Sequence, residues 1–397
     1  MLEGLRVIEL ATYIAAPGAA GIMADWGADV IKVESPEGDP MRRFFDTIAS
    51  QQDANPVFEL DNRGKRAVVL DIRSDTGREA MKALVATADV FLTNVRPGAL
   101  ARAGLDHEAL KAVNPRLIYC SLTGYGLEGP DADKAGMDVA AFWSRAGVGS
   151  ITAPKGAEPF PIRTGMGDHV TSLATVSAIL AAVFERQTTG VGRLVETSLL
   201  RAGVYAIGSD MAIQLRFGKL ASTRGRREAI QPLANFFKTR DGRWICLLPR
   251  QGATDWARIA EAAGRPELVD DPRFASAKAR RENTALLVDL LDAAFGEMDY
   301  ETVANALDAG DLTWAPYQTP RERELVGDPQ AEAAGCFVDT PDGAGGTFKA
   351  PASPARFPGA LDGPRGPAPK LGADTAAVFK ELGWTEDRIA ALTGPSG

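Results

Sequence analysis

The segment Gly165-Met166-Gly167-Asp168-His169 sets a carboxylate directly ahead of an apolar run, Leu173 to Phe184. An Asp at the start of a helix most simply accepts backbone N–H bonds, so capping is the plain reading of Asp168 and covalent or acid–base chemistry the sharper one. His169 is its neighbour, but side chains at i and i+1 on a helix diverge, which makes His169 a structural histidine. His107 reads as a helix-face residue, and no HxxxH, HExxH or Ser/His/Asp arrangement stands out. Asn94-Val95-Arg96-Pro97-Gly98-Ala99 leaves a strand and enters a helix with Pro near its first position. Backbone N–H groups and an Arg side chain would there converge on an anion, against the plainer reading of a solvated Arg on a connecting loop. Asn62-Arg63-Gly64-Lys65-Arg66 is a second basic cluster, whose plain reading is a solvated charge run. Thr123–Gly129, TGYGLEG, satisfies GxGxxG after a predicted strand, yet Pro130, Asp131 and Asp133 follow it. A dinucleotide fingerprint needs a helix N-terminus for the pyrophosphate at that point, so the motif reads as a glycine-rich active-site turn and neither nicotinamide nor flavin is expected.

The elements that must hold these residues alternate. Strands are predicted at Arg6–Leu10, Asp29–Glu34, Ala67–Asp71, Val90–Thr93 and Leu117–Leu122, and helices at Pro17–Trp26, Thr76–Ala86, Pro97–Ala103 and His107–Val113. That βαβ rhythm predicts an α/β fold with a parallel, doubly wound, Rossmann-like sheet. Asp168 then opens a helix to about Arg186, followed by a turn, a strand and a helix. Past Arg216 the pattern changes to a basic loop (Arg224, Arg226, Arg227), a strand at Arg243–Leu248 and amphipathic helices near Thr254–Ala263 and Asn283–Phe295, a smaller α+β domain. Residues 1–200 with 330–397 form the large domain and 217–325 the small one, with 201–216 and 326–340 as linkers. Pro341 to Lys370, rich in Gly, Pro and Ala, reads as a long loop or wrap, and Thr375–Leu382 as a last helix.

Composition excludes several classes. Of 397 residues 45% are hydrophobic and 24% charged, which rules out a disordered or collagen-like chain. A net charge of −8 disfavours sequence-independent attraction to nucleic acid or anionic lipid. Cys120, Cys246 and Cys336 have no paired spacing, so no disulfide framework or zinc ribbon is expected and a reducing cytoplasm is. The Leu173–Phe184 stretch is too short for a bilayer span and reads as a buried helix, and the charged residues Glu3, Arg6, Glu9 and Asp25 argue for a mature cytoplasmic N-terminus.

Taken together, the ordered segments Leu5–Leu10, Gly27–Glu34 leading to Gly38-Asp39-Pro40, Asn62–Arg66, Asn94–Ala99, Thr123–Gly129, Gly167-Asp168 and Glu185–Gly192 resemble the class III coenzyme A transferases. This is the family of formyl-CoA and carnitine-CoA transferases and 2-methylacyl-CoA racemases, and the similarity spans nearly the whole chain. It implies that Asp168 is the nucleophile, forming an acyl–aspartyl anhydride and then an aspartyl-CoA thioester, with the capping residue and the nucleophile one and the same group. It further implies that acyl-CoA and a small carboxylic acid are the substrates, that no metal takes part, and that two chains interlock as a homodimer. Arg96, Arg102 and Lys134 match CoA contacts of the family, Asn94 and Val95 lie near the pantetheine path, and Arg63, Lys65 and Arg66 are weaker phosphate candidates. Two departures narrow the reading. Ile14 stands where formyl-CoA transferases carry a Gln, which argues against formyl-CoA or oxalate. Met137, in Gly136-Met137-Asp138, stands where the racemases carry a catalytic His, and a thioether cannot move the α-proton, so transfer is favoured over racemisation. Racemase activity and a non-catalytic acyl-CoA-binding role remain the alternatives. Phe142-Trp143 is similar to transferases acting on 2-hydroxy or aromatic acids.

Overall fold

A computed structural model of the protein describes residues 1–46, 54–250, 254–361 and 363–393. Six strands form one parallel sheet: β1 (Arg6–Leu10), β2 (Asp29–Glu34), β3 (Arg66–Val69), β4 (Val90–Thr93), β5 (Ile118–Thr123) and β6 (Leu194–Ser198). Their order is β3-β2-β1-β4-β5-β6, and every neighbouring pair is parallel. Val7, Ile8, Val68, Val90, Phe91, Leu92, Ile118 and Cys120 expose nothing. Burial of this kind is what a parallel sheet covered on both faces requires.

The crossovers are α1 (Ala15–Asp25), α2 (Pro56–Asn62), α3 (Asp75–Ala86), α4 (Pro97–Ala103) and α5 (His107–Val113). A π-helical turn, Val139–Arg145, and a short α6 (Val148–Thr152) lead to the 24-residue α7 (Met166–Thr189). One face of the sheet carries α1, with α7 packed against it. On the other, Met81, Leu84, Leu100 and Leu110 share a core with Val378, Phe379, Trp384 and Ile389 from the C-terminal segment. The expected buried helix is buried on one face only: Thr175, Val176 and Ile179 are covered, whereas Leu173 and Phe184 are exposed.

Residues 201–216, expected as a linker, are helical in α8 (Leu199–Ala206) and α9 (Gly208–Phe217). The Gly- and Pro-rich stretch after Pro341 is corrected as well. It contains half of an antiparallel hairpin rather than a simple loop. Past a second unit comprising 151–159 and 221–332, Phe337 to Pro341 pairs with Thr347 to Pro351. The density of turn residues that suggested a loop serves the hairpin bend, where the Asp342 carboxylate accepts the N–H groups of Ala344 and Gly346.

The second unit holds a three-stranded antiparallel sheet, β7 (Asn235–Lys238), β8 (Trp244–Leu247) and β9 (Trp314–Tyr317). Its helices α10 (Thr254–Ala262), α11 (Ala277–Glu282), α12 (Thr284–Gly296) and α13 (Tyr300–Ala309) enclose Phe237, Ile245, Trp256, Phe274, Leu291 and Phe295. This unit has a core of its own.

Candidate active site

In the sheet order the direction of winding reverses between β1 and β4, and open α/β sheets bind ligands in the crevice beyond the carboxyl ends of the strands at such a switch point. A cavity of about 660 Å³ lies there. Thr12 to Ala15 enter it from the end of β1, Asn94 to Pro97 from the end of β4, and Leu122 to Gly124 from the end of β5. Gly136 to Val139 and the first turn of α7, with Asp168, complete the wall. Gly124 and Gly136 stand back to back, and a Cβ on Gly124 would fall 2.5 Å from the Gly136 Cα. The glycine-rich turn therefore serves close packing of two backbones at the cavity, as an active-site turn rather than a dinucleotide cradle.

Asp168 is half-buried in the first turn of α7, and among the described residues its carboxylate has no hydrogen-bond partner. The capping role expected of it belongs to Asp138. The Oδ2 of Asp138 accepts the Gly167 N–H at 3.1 Å, and the backbone N–H groups of Gly165 and Asp168 also aim at that carboxylate. Gly165, at φ 90, begins the helix, and Gly167 must be glycine because a Cβ there would fall 2.3 Å from Asp138 Oδ1. Asp168 is thus left unbonded, in poor solvation, beside another carboxylate. Burial first, and then the charge of Asp138, against a pull from His169 and with a smaller push from Asp61, raise its pKa to about 7. A carboxyl poised near neutrality is a functional signature.

His169 is not among the residues that line the cavity and bonds through Nε2 to Asp61 Oδ1 at 3.0 Å. That bond raises its pKa, against burial. It is the structural histidine expected from its position. His107 packs edge-on to Tyr119.

The basic residues divide sharply. Lys65 is wholly buried, donating to Glu9 Oε2 at 2.6 Å, Asn62 Oδ1 at 2.9 Å and the Pro17 carbonyl at 2.9 Å. Glu9 also receives Lys32, which reaches Asp39 on its other side. Arg63 is buried against Asp25, with Nη2 to Oδ2 at 2.7 Å. Arg66 pairs with Asp29 and Glu381. Arg63 and Lys65 are therefore corrected from phosphate contacts to internal counter-ions, and Arg66 is committed to its own pairs. A buried cation does not leave its carboxylate for a ligand, since the stranded charge would cost several kcal/mol. By contrast Arg96 and Lys134 are exposed, line the cavity and have no ion-pair partner among the described residues. Arg102 is exposed on the last turn of α4, outside the lining. Val95 and Met137 line the cavity as well.

Asn94 lines the cavity but its amide is occupied: it accepts the Thr12 N–H and donates to the Thr12 carbonyl at 2.7 Å. Together with Asp39, which accepts the Tyr13 N–H at 3.1 Å, it fixes a bend in which Tyr13 adopts φ 67. A bulky residue held left-handed marks a site where the surroundings impose the geometry. Phe142 and Trp143 do not line the cavity. Both are buried, Phe142 against Gly167 and Trp143 donating to the Phe160 carbonyl. Sequence reasoning gave no role to Asp138, Asp39 or Asp61. The Asp of Gly136-Met137-Asp138 was in view, but nothing local tells that it caps a helix 27 residues later.

The chain is 33% identical to the (R)-2-hydroxy-4-methylpentanoate CoA-transferase of Clostridioides difficile, over 98% of this chain and 97% of that protein. It is 33% identical to the cinnamoyl-CoA:phenyllactate CoA-transferase of Clostridium sporogenes, over 99% and 96%. A crystal structure of a CAIB/BAIF family protein from Brucella suis superposes with a TM-score of 0.85 at 33% identity, covering 96% of this chain and 99% of that one. The family model of CoA-transferase family III matches residues 2–375, and the chain belongs to that family.

Proposed function

We propose that the protein moves coenzyme A from an acyl-CoA donor to a carboxylic acid acceptor, with Asp168 as the covalent nucleophile. The observation that carries this is a half-buried, unbonded carboxyl at the switch-point cavity, relieved of capping by Asp138. The Asp168 carboxylate attacks the thioester carbonyl, the C–S bond breaks, and CoA leaves as thiolate from an acyl–aspartyl anhydride. The thiolate attacks the aspartyl carbonyl, releasing the donor acid and leaving aspartyl-CoA thioester. The acceptor carboxylate displaces the thiolate, which then attacks the acceptor acyl carbon and regenerates Asp168. Because Asp138 absorbs the N–H groups of α7, charge on the attacked carbonyl falls to other donors. The first turn of α1, which begins at Ala15 with no side-chain cap, opens on the same cavity. Arg96 and Lys134, with Arg102 beyond the lining, take the phosphates of CoA.

Met137 favours transfer over racemisation, because the cavity lining holds no imidazole to act as a second base. The transferase also works as a homodimer. Helix α9 has no buried residue, and Tyr205, Leu215 and Phe217 expose 87%, 79% and 67% of their surface, an apolar patch that a second copy would cover. Light scattering should give twice the 42.0 kDa of one chain.

The decisive experiment is trapping. Hydroxylamine or borohydride added during turnover with acyl-CoA should modify the peptide carrying Asp168, read as a mass change. Asp168→Asn at near wild-type rate, with reversion by deamidation excluded, would overturn the assignment.

A further inference from the structure

We infer that the acid exchanged at this site is a monocarboxylate bearing an apolar branched or aromatic group, and that dicarboxylates are excluded; this rests on the transferase reading above. Part of the wall around the nucleophile is hydrocarbon, beside the hydroxyls of Thr12, Tyr13, Thr123 and Thr164. Ile14 Cδ1 lies 3.5 Å from where a Cβ of Gly165 would stand, three residues before Asp168. Ile14 is packed with Met41 and Phe58, with Phe44 against them. Ile14, Met41 and Phe44 line the cavity together with Leu122, Met137 and Leu199.

The charges in the lining are as informative. The anions are Asp138 and Asp168, and the cations are Arg96 and Lys134, both exposed. The interior cations near this site are unavailable: Lys32 and Lys65 are locked between Glu9, Asp39 and Asn62, and His169 is held by Asp61. An acyl group on Asp168 therefore meets apolar side chains and the Asp138 carboxylate. A second carboxylate on the substrate would face like charge with no interior cation to receive it, whereas a branched or aromatic group would fill the space against Ile14 and Met41. Sites of this kind discriminate strongly, because an unpaired buried charge is penalised far more than a missing methylene.

The test is a panel of acceptors against one acyl-CoA donor, with 4-methylpentanoate and 3-phenylpropanoate set against succinate and glutarate. Expected is a kcat/KM advantage on the order of a hundredfold for the apolar acids. Calorimetry of the same four acids on CoA-saturated Asp168→Asn protein should show binding of the apolar pair alone, a readout that does not depend on turnover. Dicarboxylates turned over as well as the apolar acids overturn this inference and leave the transferase reading standing. Apolar acids that bind with no transfer to any acid support the inference and overturn the nucleophile assignment. Ile14→Lys places a cation on the apolar wall and should raise succinate turnover relative to 4-methylpentanoate at least tenfold. Met137→Lys, at an exposed lining position, makes the same comparison if Ile14→Lys fails to fold, and an unchanged ratio in a folded variant counts against the inference.

Discussion

Replacing Asp168 with Asn should make the folded protein more stable above neutral pH, not less. In the fold the Asp168 carboxyl is pushed from 3.8 to about 7, mainly by burial and secondly by Asp138. At 1.36 kcal/mol per pH unit, ionising it inside the fold costs about 4 kcal/mol more than in the unfolded chain. The sign follows from linkage: the folded state holds this proton more tightly, so the associated stability is fully present below pH 3.8, is lost as pH rises toward 7, and is gone above it. An amide never ionises and suffers no such loss. The advantage of Asp168→Asn over wild type should therefore grow from about 2 kcal/mol at pH 5.5 to about 4 kcal/mol at pH 8. Denaturant and thermal unfolding of both proteins from pH 4.5 to 8.5 measures it, with the pH dependence of the difference as the quantity of interest. The Asn protein should be inactive throughout. A capping carboxylate predicts the opposite sign, a loss of about 0.5–2 kcal/mol on substitution. A difference that stays flat with pH, or that runs against Asn at high pH, refutes the geometry in which Asp138 does the capping.

Three further outcomes follow from the same arrangement. The kcat/KM for transfer should rise with pH through an inflection near 7, and Asp138→Asn, which keeps an oxygen for the Gly167 N–H but removes the like charge, should move that inflection down by roughly one unit; an unmoved inflection would show that Asp138 does not act on Asp168. Arg96→Ala should weaken CoA binding more at low salt than at high salt, as an exposed phosphate contact is screened, and equal affinities by calorimetry would remove Arg96 from the site. Lys65→Met leaves the buried Glu9 and Asp39 to share the single charge of Lys32 and should cost about 3–5 kcal/mol of stability while leaving CoA affinity of the folded fraction intact; lost affinity without lost stability would return Lys65 to the phosphate contacts.

Local pattern was enough for the sheet. Strands β1, β2, β4 and β5 are short runs rich in β-branched residues between helices with the βα period, as a covered parallel sheet favours, so class and element order were legible. Turn-rich composition was ambiguous after Pro341, because glycines that make a loop also make a hairpin bend, and the deciding partner strand lies on the far side of it. The same limit governs the site. Asp168 and Arg96 carry their chemistry in residue type and position at element ends, and Lys134 in residue type. Their roles were separated from those of Arg63, Lys65 and Asp138 only by partners distant in sequence: Lys65 meets Glu9 across 56 positions, Arg63 meets Asp25 across 38, and Asp138 reaches Gly167 across 29. A basic run in a sequence has the same appearance whether its charges face solvent or are neutralised inside. Ion pairing and capping are satisfied through space, so only the folded chain decided which carboxylate caps the helix and which is left free to react.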